Sequence, residues 1–228
     1  MLKAVIFDID NTLLDFMKMK SVSISAAVDG MILAGMDIDK ESATKEIFTI
    51  YDNKGYEHQE VLNEFIINNL GAINYKYLAA GIVEYKKARE ESLHLFPDVI
   101  PTLKKLKELG LKLGIASDAP SREAWIRLYM LELHNTFQDV VTFNDTGFHK
   151  PAKEPFVKIA EKLNVSLDEC MMVGDWPERD IKGGNSLGMT TAFARYGSTL
   201  EVEDSGADYD LDSVSELIGI VKDINNLK

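Results

Sequence analysis

The chain has 228 residues, of which 46% are hydrophobic and 27% are charged, a balance typical of a soluble globular protein with a sizeable core. Its net charge is -12, which argues against nucleic acid or an anionic membrane as the main partner, because both are themselves negatively charged. No stretch is apolar for long enough to span a membrane, and residues 1–15 do not form a signal peptide. We therefore expect a cytoplasmic protein.

The first dozen residues carry a strand followed by acidic side chains. Residues 3–7 are an apolar run with β-branched members, which is typical of a strand in the middle of a parallel sheet, and residues 8–12 read Asp-Ile-Asp-Asn-Thr. Side chains alternate along extended chain, so Asp8 and Asp10 can lean towards one space. Two carboxylates that lie so close together need a cation or a shared proton, because their negative charges repel. The stretch predicts half of a magnesium site with a carboxylate nucleophile, and the alternative is a turn rich in Asp and Asn.

A helical segment follows this strand. Apolar residues recur at helical spacing from about residue 17 to residue 91, with no strand pattern among them. Such a length is too great for a single crossover between two parallel strands. We therefore predict an inserted helical domain over residues 16–96, with residues 1–15 and 97–228 forming the core domain.

After the insert, strand and helix patterns alternate. This rhythm predicts an α/β fold with a doubly wound parallel sheet and helices on both faces. The predicted strands are residues 111–116, 140–143, 171–173 and 190–194, and the predicted helices are residues 102–109, 121–131, 155–163, 181–187 and 213–224.

Polar residues follow the second and third of these strands. Ser117 and Asp118 come before a helix, where a hydroxyl and free backbone N–H groups suit an anion such as phosphate, although either residue could simply cap the helix. Lys150 lies before Pro151, which holds its backbone in an extended or turn form, so its ammonium group could hold a transferring phosphoryl group. The alternative is a solvated lysine. We interpret the adjacent His149 as an ordinary loop histidine.

The strand at residues 171–173 is also followed by acidic residues. Asp175 comes directly after Gly174, and Asp180 lies five positions further on, which suits a hard cation that prefers oxygen ligands. The alternative is that acidic side chains here favour the start of a helix. Cys170, the single cysteine, opens this strand and is predicted to be a buried, inert thiol, as suits a reducing compartment.

Taken in chain order, these residues resemble the four motifs of the haloacid dehalogenase superfamily, and the match covers essentially the whole chain. The insert after the first motif is similar to the family's helical cap of the first type. The matching residues are Asp8, Asp10 and Thr12 in the first motif, Ser117 in the second, Lys150 and Pro151 in the third, and Gly174, Asp175 and Asp180 in the fourth.

The resemblance implies a nucleophile, an acid and a magnesium site. Asp8 would attack phosphorus and become an aspartyl phosphate. Asp10 would protonate the leaving oxygen and then activate water, while its backbone carbonyl binds Mg²⁺. Asp8 and Asp175 would complete the metal ligands, with Asp180 supporting the site directly or through a neighbour.

The resemblance also implies a phosphate site. Ser117 and Lys150 would hold the phosphoryl oxygens, and Lys150 would also orient the nucleophile. Thr12 would support the first motif beside the phosphate. Asp118 is included among the phosphate contacts, although it stands where asparagine or another small neutral residue is more usual.

An acid two residues after the nucleophile favours phosphate esters, because an alkoxide needs a proton on leaving and a halide does not. We therefore predict a phosphatase that acts on a small phosphorylated metabolite, such as a triose phosphate, phosphoglycolate or a sugar phosphate. The alternatives are a phosphomutase with the same nucleophile and a receiver-like phosphoacceptor without enzyme activity. The oligomeric state is left open between monomer and dimer.

Overall fold

The computed structural model describes residues 1–227 and divides the chain into two compact units. One unit contains Met1–Asp15 together with the chain from His94 onward, and the other contains Phe16–Leu93. The second unit ends at Leu93, a little before residue 96, where the sequence pattern places the end of the insert. Within residues 1–227, none of the helices is sufficiently long and apolar to span a membrane.

The first unit is built on a sheet of six parallel strands. The strands are β1 (Ala4–Phe7), β2 (Lys112–Ala116), β3 (Asp139–Val141), β4 (Cys170–Gly174), β5 (Thr190–Ala194) and β6 (Tyr209–Leu211). Their order across the sheet is β3-β2-β1-β4-β5-β6, so the opening strand lies in the middle and pairs with both β2 and β4. The predicted α/β fold with a doubly wound parallel sheet is confirmed.

The second unit consists of four helices with no strand, all within residues 16–93. The helices are α1 (Phe16–Leu33), α2 (Lys40–Lys54), α3 (Val61–Leu70) and α4 (Tyr75–Ser92). They share an apolar core that includes the fully buried Ile47 and Phe65. Helices α1 and α4 approach closely at Gly30. A Cβ atom there would lie only 3.0 Å from the carbonyl oxygen of Ala80.

Within the described residues, the first unit has six further α-helices. They are α5 (Val99–Glu108), α6 (Ser121–Met130), α7 (Phe143–Thr146), α8 (Lys153–Leu163), α9 (Lys182–Ser186) and α10 (Leu217–Asn225). Helix α8 covers the central strand, since Phe156 and Ile159 pack with Ala4 and Ile6 in one buried cluster. The alternating side chains of β1 are all buried, which explains why this strand is apolar at every position.

The structure differs from the predicted elements at three places. The third strand ends at Val141, and Phe143 begins helix α7, whose capping box is formed by Thr142 and Asp145. The helix expected at residues 181–187 is observed as the short helix α9, and an unpredicted π-helical turn, Pro177–Ile181, precedes it. Strand β6 was missed, because three residues with only one buried side chain carry too little pattern to be recognised.

Replacement of Phe156 by alanine is expected to lower the free energy of unfolding by about 3–5 kcal/mol, because this fully buried ring fills the space between α8 and the sheet. Urea denaturation followed by far-UV circular dichroism would measure the change. The matched control is Phe148→Ala, which removes the same atoms from a ring that is 51% exposed. Equal losses in the two variants would contradict this account of the core.

Candidate active site

A buried lysine joins acidic side chains from separate strand ends at one edge of the sheet. The Nζ atom of Lys150 lies 2.6 Å from Oδ1 of Asp8 and 2.6 Å from Oδ1 of Asp180, and it donates a 2.9 Å hydrogen bond to the carbonyl of Ala116. The lysine side chain is only 2% exposed. The backbone N–H of Asp8 donates to the carbonyl of Val173, which holds the nucleophile candidate beside the end of β4.

The loop that carries Lys150 is held by Asp118. The backbone N–H of Lys150 donates a 2.9 Å hydrogen bond to Oδ1 of Asp118, whose other oxygen lies 3.4 Å from a guanidinium nitrogen of Arg179. The carboxylate of Asp118 thus stabilises the loop by accepting hydrogen bonds from Lys150 and Arg179. Burial opposes the charge of Lys150, but Asp180, Asp8 and Asp118 outweigh it and raise the lysine pKa above its ordinary value.

The neighbouring His149 faces outward. Its side chain is 59% exposed and its ring stacks on Phe143, with ring centroids 4.3 Å apart. These are the surroundings of an ordinary loop histidine, as the sequence indicated.

Asp180 reaches the lysine because Gly174 leaves room for it. A Cβ atom on Gly174 would lie 2.2 Å from Cγ of Asp180, a distance that no side chain could tolerate. The π-helical turn brings Asp180 back against the strand end, where Oδ2 accepts a hydrogen bond from the backbone N–H of Trp176. Burial raises the pKa of Asp180 to about 6, although the charge of Lys150 acts in the opposite direction.

Asp175 adds a further buried carboxylate. It is 7% exposed, and burial followed by the charges of Asp8 and Asp180 raises its pKa well above the ordinary value, with Lys150 only partly compensating. This excess of negative charge fits a divalent cation with oxygen ligands. Within residues 1–227, no three His, Cys, Asp or Glu side chains form a ready-made metal cluster, so a cation here needs other ligands such as water and the backbone carbonyl of Asp10.

Asp10 is oriented towards a residue that the sequence motifs did not identify. Its Oδ2 atom lies 2.7 Å from Nη1 of Arg127, and the arginine side chain is 7% exposed. Arg127 lies on α6, far from Asp10 in the chain. The sequence signal that could have indicated its role is its spacing from the apolar residues Ala124 and Leu128, which places Arg127 on the buried face of α6.

The loop that follows Asp10 is fixed by close contacts with residues just after β5. The backbone of Asn11 has a φ angle of 55°, and the carbonyl of Thr12 accepts a 2.7 Å hydrogen bond from the hydroxyl of Tyr196. A Cβ atom on Gly197 would lie 1.7 Å from the carbonyl oxygen of Asn11. Tyr196 and Gly197 were not predicted as site residues, because a Tyr-Gly pair carries no motif of its own.

Ser117 lies where the phosphate-binding prediction places it, at the end of β2 and ahead of α6. Its backbone N–H donates to the carbonyl of Val141, and its hydroxyl oxygen accepts a 3.1 Å hydrogen bond from the N–H of Ala119. The residue is 4% exposed. Since a hydroxyl group also carries a hydrogen, it can donate to an anion at this edge.

The fold and the edge site together define a class of enzyme. The family model for haloacid dehalogenase-like hydrolases matches residues 2–188, and the chain belongs to this family. It is a hydrolase of the phosphatase class. This result sets aside the receiver-like phosphoacceptor.

Individual relatives are similar over nearly the whole chain. The chain is 33% identical to a glyceraldehyde 3-phosphate phosphatase from Methanocaldococcus jannaschii, over 98% of this chain and 99% of the relative. It is 27% identical to the pyrophosphatase PpaX of Bacillus anthracis, over 91% of this chain and 99% of the relative. A crystal structure of a HAD phosphatase from Thermococcus onnurineus superposes with a TM-score of 0.72 at 27% identity, covering 96% of this chain and 98% of that one.

The close fit of Asp180 against Gly174 has a measurable consequence. We expect Gly174→Ala to displace Asp180 from Lys150 and to lower kcat by about 100-fold, because misplacing a group near the reacting atoms by about 1 Å has effects of this size. The matched control is Gly219→Ala, since a Cβ atom there meets nothing within 4 Å. Phosphatase assays and circular dichroism of both variants would test the prediction, and a fully active Gly174→Ala enzyme would contradict it.

Proposed function

We propose that the protein is a magnesium-dependent phosphatase that hydrolyses a small phosphorylated metabolite through an aspartyl phosphate on Asp8. The observation that carries this proposal is the buried 2.6 Å contact between Lys150 and Asp8 at the carboxyl edge of the sheet. Burial raises the pKa of Asp8, and the charge of Lys150 acts against this shift, so the lysine favours the ionised, nucleophilic carboxylate.

The reaction consists of two displacements at phosphorus. In the first, a carboxylate oxygen of Asp8 bonds to phosphorus while the bond from phosphorus to the ester oxygen breaks, and Asp10 gives its proton to that oxygen. In the second, Asp10 takes a proton from water, whose oxygen attacks phosphorus, so that inorganic phosphate leaves and Asp8 is restored. The covalent route divides one difficult displacement into two easier ones.

The phosphoryl oxygens need donors around them. Lys150 supplies a buried ammonium group, and Ser117 supplies a hydroxyl group at the start of the loop before α6. We propose that Asp118 serves this site chiefly through its backbone and through the hydrogen bond that holds the Lys150 loop, because its carboxylate can only accept hydrogen bonds. Thr12 supports the site from its fully buried position in the first loop.

The residues that would hold Mg²⁺ are Asp8, Asp175 and the backbone carbonyl of Asp10, with Asp180 as support. The fit rests on the negative charge of these buried carboxylates, which Lys150 neutralises only in part. When bound, Mg²⁺ would supply positive charge to the phosphoryl oxygens as charge moves during transfer. Asp180 and Lys150 keep each other in place through their ion pair.

The relatives favour a triose phosphate as the substrate. Two archaeal proteins described as glyceraldehyde 3-phosphate phosphatases are 33% and 32% identical across nearly the whole chain, whereas the Bacillus anthracis pyrophosphatase is 27% identical. Glyceraldehyde 3-phosphate is also a small phosphate ester of the predicted kind. We therefore propose glyceraldehyde 3-phosphate as the first substrate to test. We do not expect a nucleic acid or membrane partner. The cytoplasmic location stays a prediction.

The direct test is phosphate release from a panel of esters with and without Mg²⁺. We expect turnover of glyceraldehyde 3-phosphate to exceed that of phosphoglycolate, glucose 6-phosphate, pyrophosphate and a phosphopeptide, and to require the metal. Isomer interconversion without phosphate release would instead support the phosphomutase alternative. Equal turnover of the phosphopeptide would contradict a small-metabolite substrate.

In the same assay, Asp8→Asn is expected to lower turnover by at least about 1000-fold while the fold is retained, because the amide cannot act as the nucleophile. Asp139→Asn makes the same chemical change at a partly exposed site and serves as the control. Mass spectrometry of acid-quenched enzyme should find a phosphoryl group on the wild type and on Asp139→Asn, but not on Asp8→Asn. Substantial activity of the Asp8→Asn variant would show that Asp8 is not the nucleophile.

Magnesium binding is expected to raise the melting temperature of the wild type, because a ligand that binds only the folded protein stabilises it. The Asp175→Asn variant should lose this Mg²⁺-dependent increase. Glu178→Gln is the matched control, since its side chain is 73% exposed in the same segment. Differential scanning fluorimetry with Mg²⁺ and with EDTA gives the comparison, and an unchanged Mg²⁺ response in Asp175→Asn would rule out Asp175 as a ligand.

A further inference from the structure

Arg127 makes a contact with Asp10 that the four motifs do not explain. We propose that Arg127 is a positioning residue that holds the carboxyl group of Asp10 in the orientation needed for proton transfer to the leaving group. The inference rests on the proposed function, because it assigns Arg127 a part in the step that Asp10 performs. The contact joins Nη1 of Arg127 to Oδ2 of Asp10 at 2.7 Å.

Asp10 needs such a partner because it lies beyond the regular part of β1. The strand ends at Phe7, and the chain passes through Asn11 with a φ angle of 55° directly after Asp10. The Asp10 side chain is 22% exposed, so packing alone does not restrict it fully. A short, charge-assisted hydrogen bond to a guanidinium group fixes both the position and the direction of a carboxylate oxygen.

Arg127 is itself held firmly. It is 6% exposed, and its neighbours on α6, Ala124 and Leu128, are buried in the first unit. Glu123 lies one turn earlier on the same helix and is also buried, so α6 carries opposite charges at the spacing that places them on one face. The side chain of a buried arginine on a helix is more restricted in position than that of a lysine on a surface loop.

The role predicts a dependence on the leaving group. An alkoxide must be protonated as it leaves, whereas 4-nitrophenolate leaves readily without a proton. If Arg127 acts by holding Asp10, its removal should slow the cleavage of an alkyl phosphate much more than the cleavage of 4-nitrophenyl phosphate. A loss of general packing would slow both reactions equally.

The experiment measures single-turnover release of the leaving group, together with steady-state kcat and KM, with Mg²⁺ present. For Arg127→Ala we expect the rate with glyceraldehyde 3-phosphate to fall by about 100-fold, with little change in KM, because the lost interaction orients a catalytic group. The rate with 4-nitrophenyl phosphate should fall by less than about threefold, since this leaving group needs no acid. Arg127→Lys should recover part of the rate, because lysine keeps the charge but not the planar fork.

Arg122→Ala is the matched control, because it removes the same type of side chain from the same helix at a position that is 71% exposed. Arg127→Met, which keeps an apolar stem, provides a second variant if the alanine protein unfolds. Equal losses with the two substrates would overturn the positioning role in favour of a structural one. An increase in KM with unchanged kcat would overturn it in favour of direct substrate binding.

These outcomes are separate from a failure of the proposed function. If the wild type forms no phosphoryl-enzyme on Asp8, the proposed function is wrong and the Arg127 inference falls with it. If the phosphoryl-enzyme forms and Arg127→Ala retains its rate with the alkyl phosphate, only the inference about Arg127 is wrong.

Discussion

The site depends on one buried ammonium group that faces several carboxylates. Lys150 contacts Asp8 and Asp180 at 2.6 Å each, and a buried charge of this kind is stable only when it is paired and hydrogen-bonded. Asp118 holds the lysine backbone, and the carbonyl of Ala116 accepts from its side chain. The lysine therefore fixes the relative positions of the ends of β1, β2 and β4, which carry the proposed chemistry.

Two glycines make this arrangement sterically possible. Gly174 admits Asp180 against the end of β4, and Gly197 admits the carbonyl of Asn11 at the end of β5. At both positions any side chain would overlap with its neighbour, so the backbone approaches more closely than other residues permit. Close approach is useful at this edge because it excludes water, and the electrostatic effect of the buried charges is correspondingly greater.

The second unit contributes a separate apolar core, and its helices α1 and α4 pack closely at Gly30. The first unit contributes the proposed nucleophile, the proposed metal ligands and the proposed phosphate donors, which lie in loops near the carboxyl ends of the parallel strands. Helix α6 links two parts of this machinery, because it follows the Ser117 loop and carries Arg127 to Asp10. Proton transfer and phosphate binding would thus share one rigid support, as preorganised sites require.

The sequence alone predicted the central strand, a helical insert and candidate site roles for the polar residues Asp8, Ser117, Lys150 and Asp175. This was possible because buried parallel strands are apolar throughout, so that a polar residue after such a run marks the shared carboxyl edge. Only the tertiary structure decided which side chains touch. The pairing of Arg127 with Asp10 and the short strand β6 depend on packing between residues distant in the chain, and neither the local hydrophobic period nor a motif encodes such contacts.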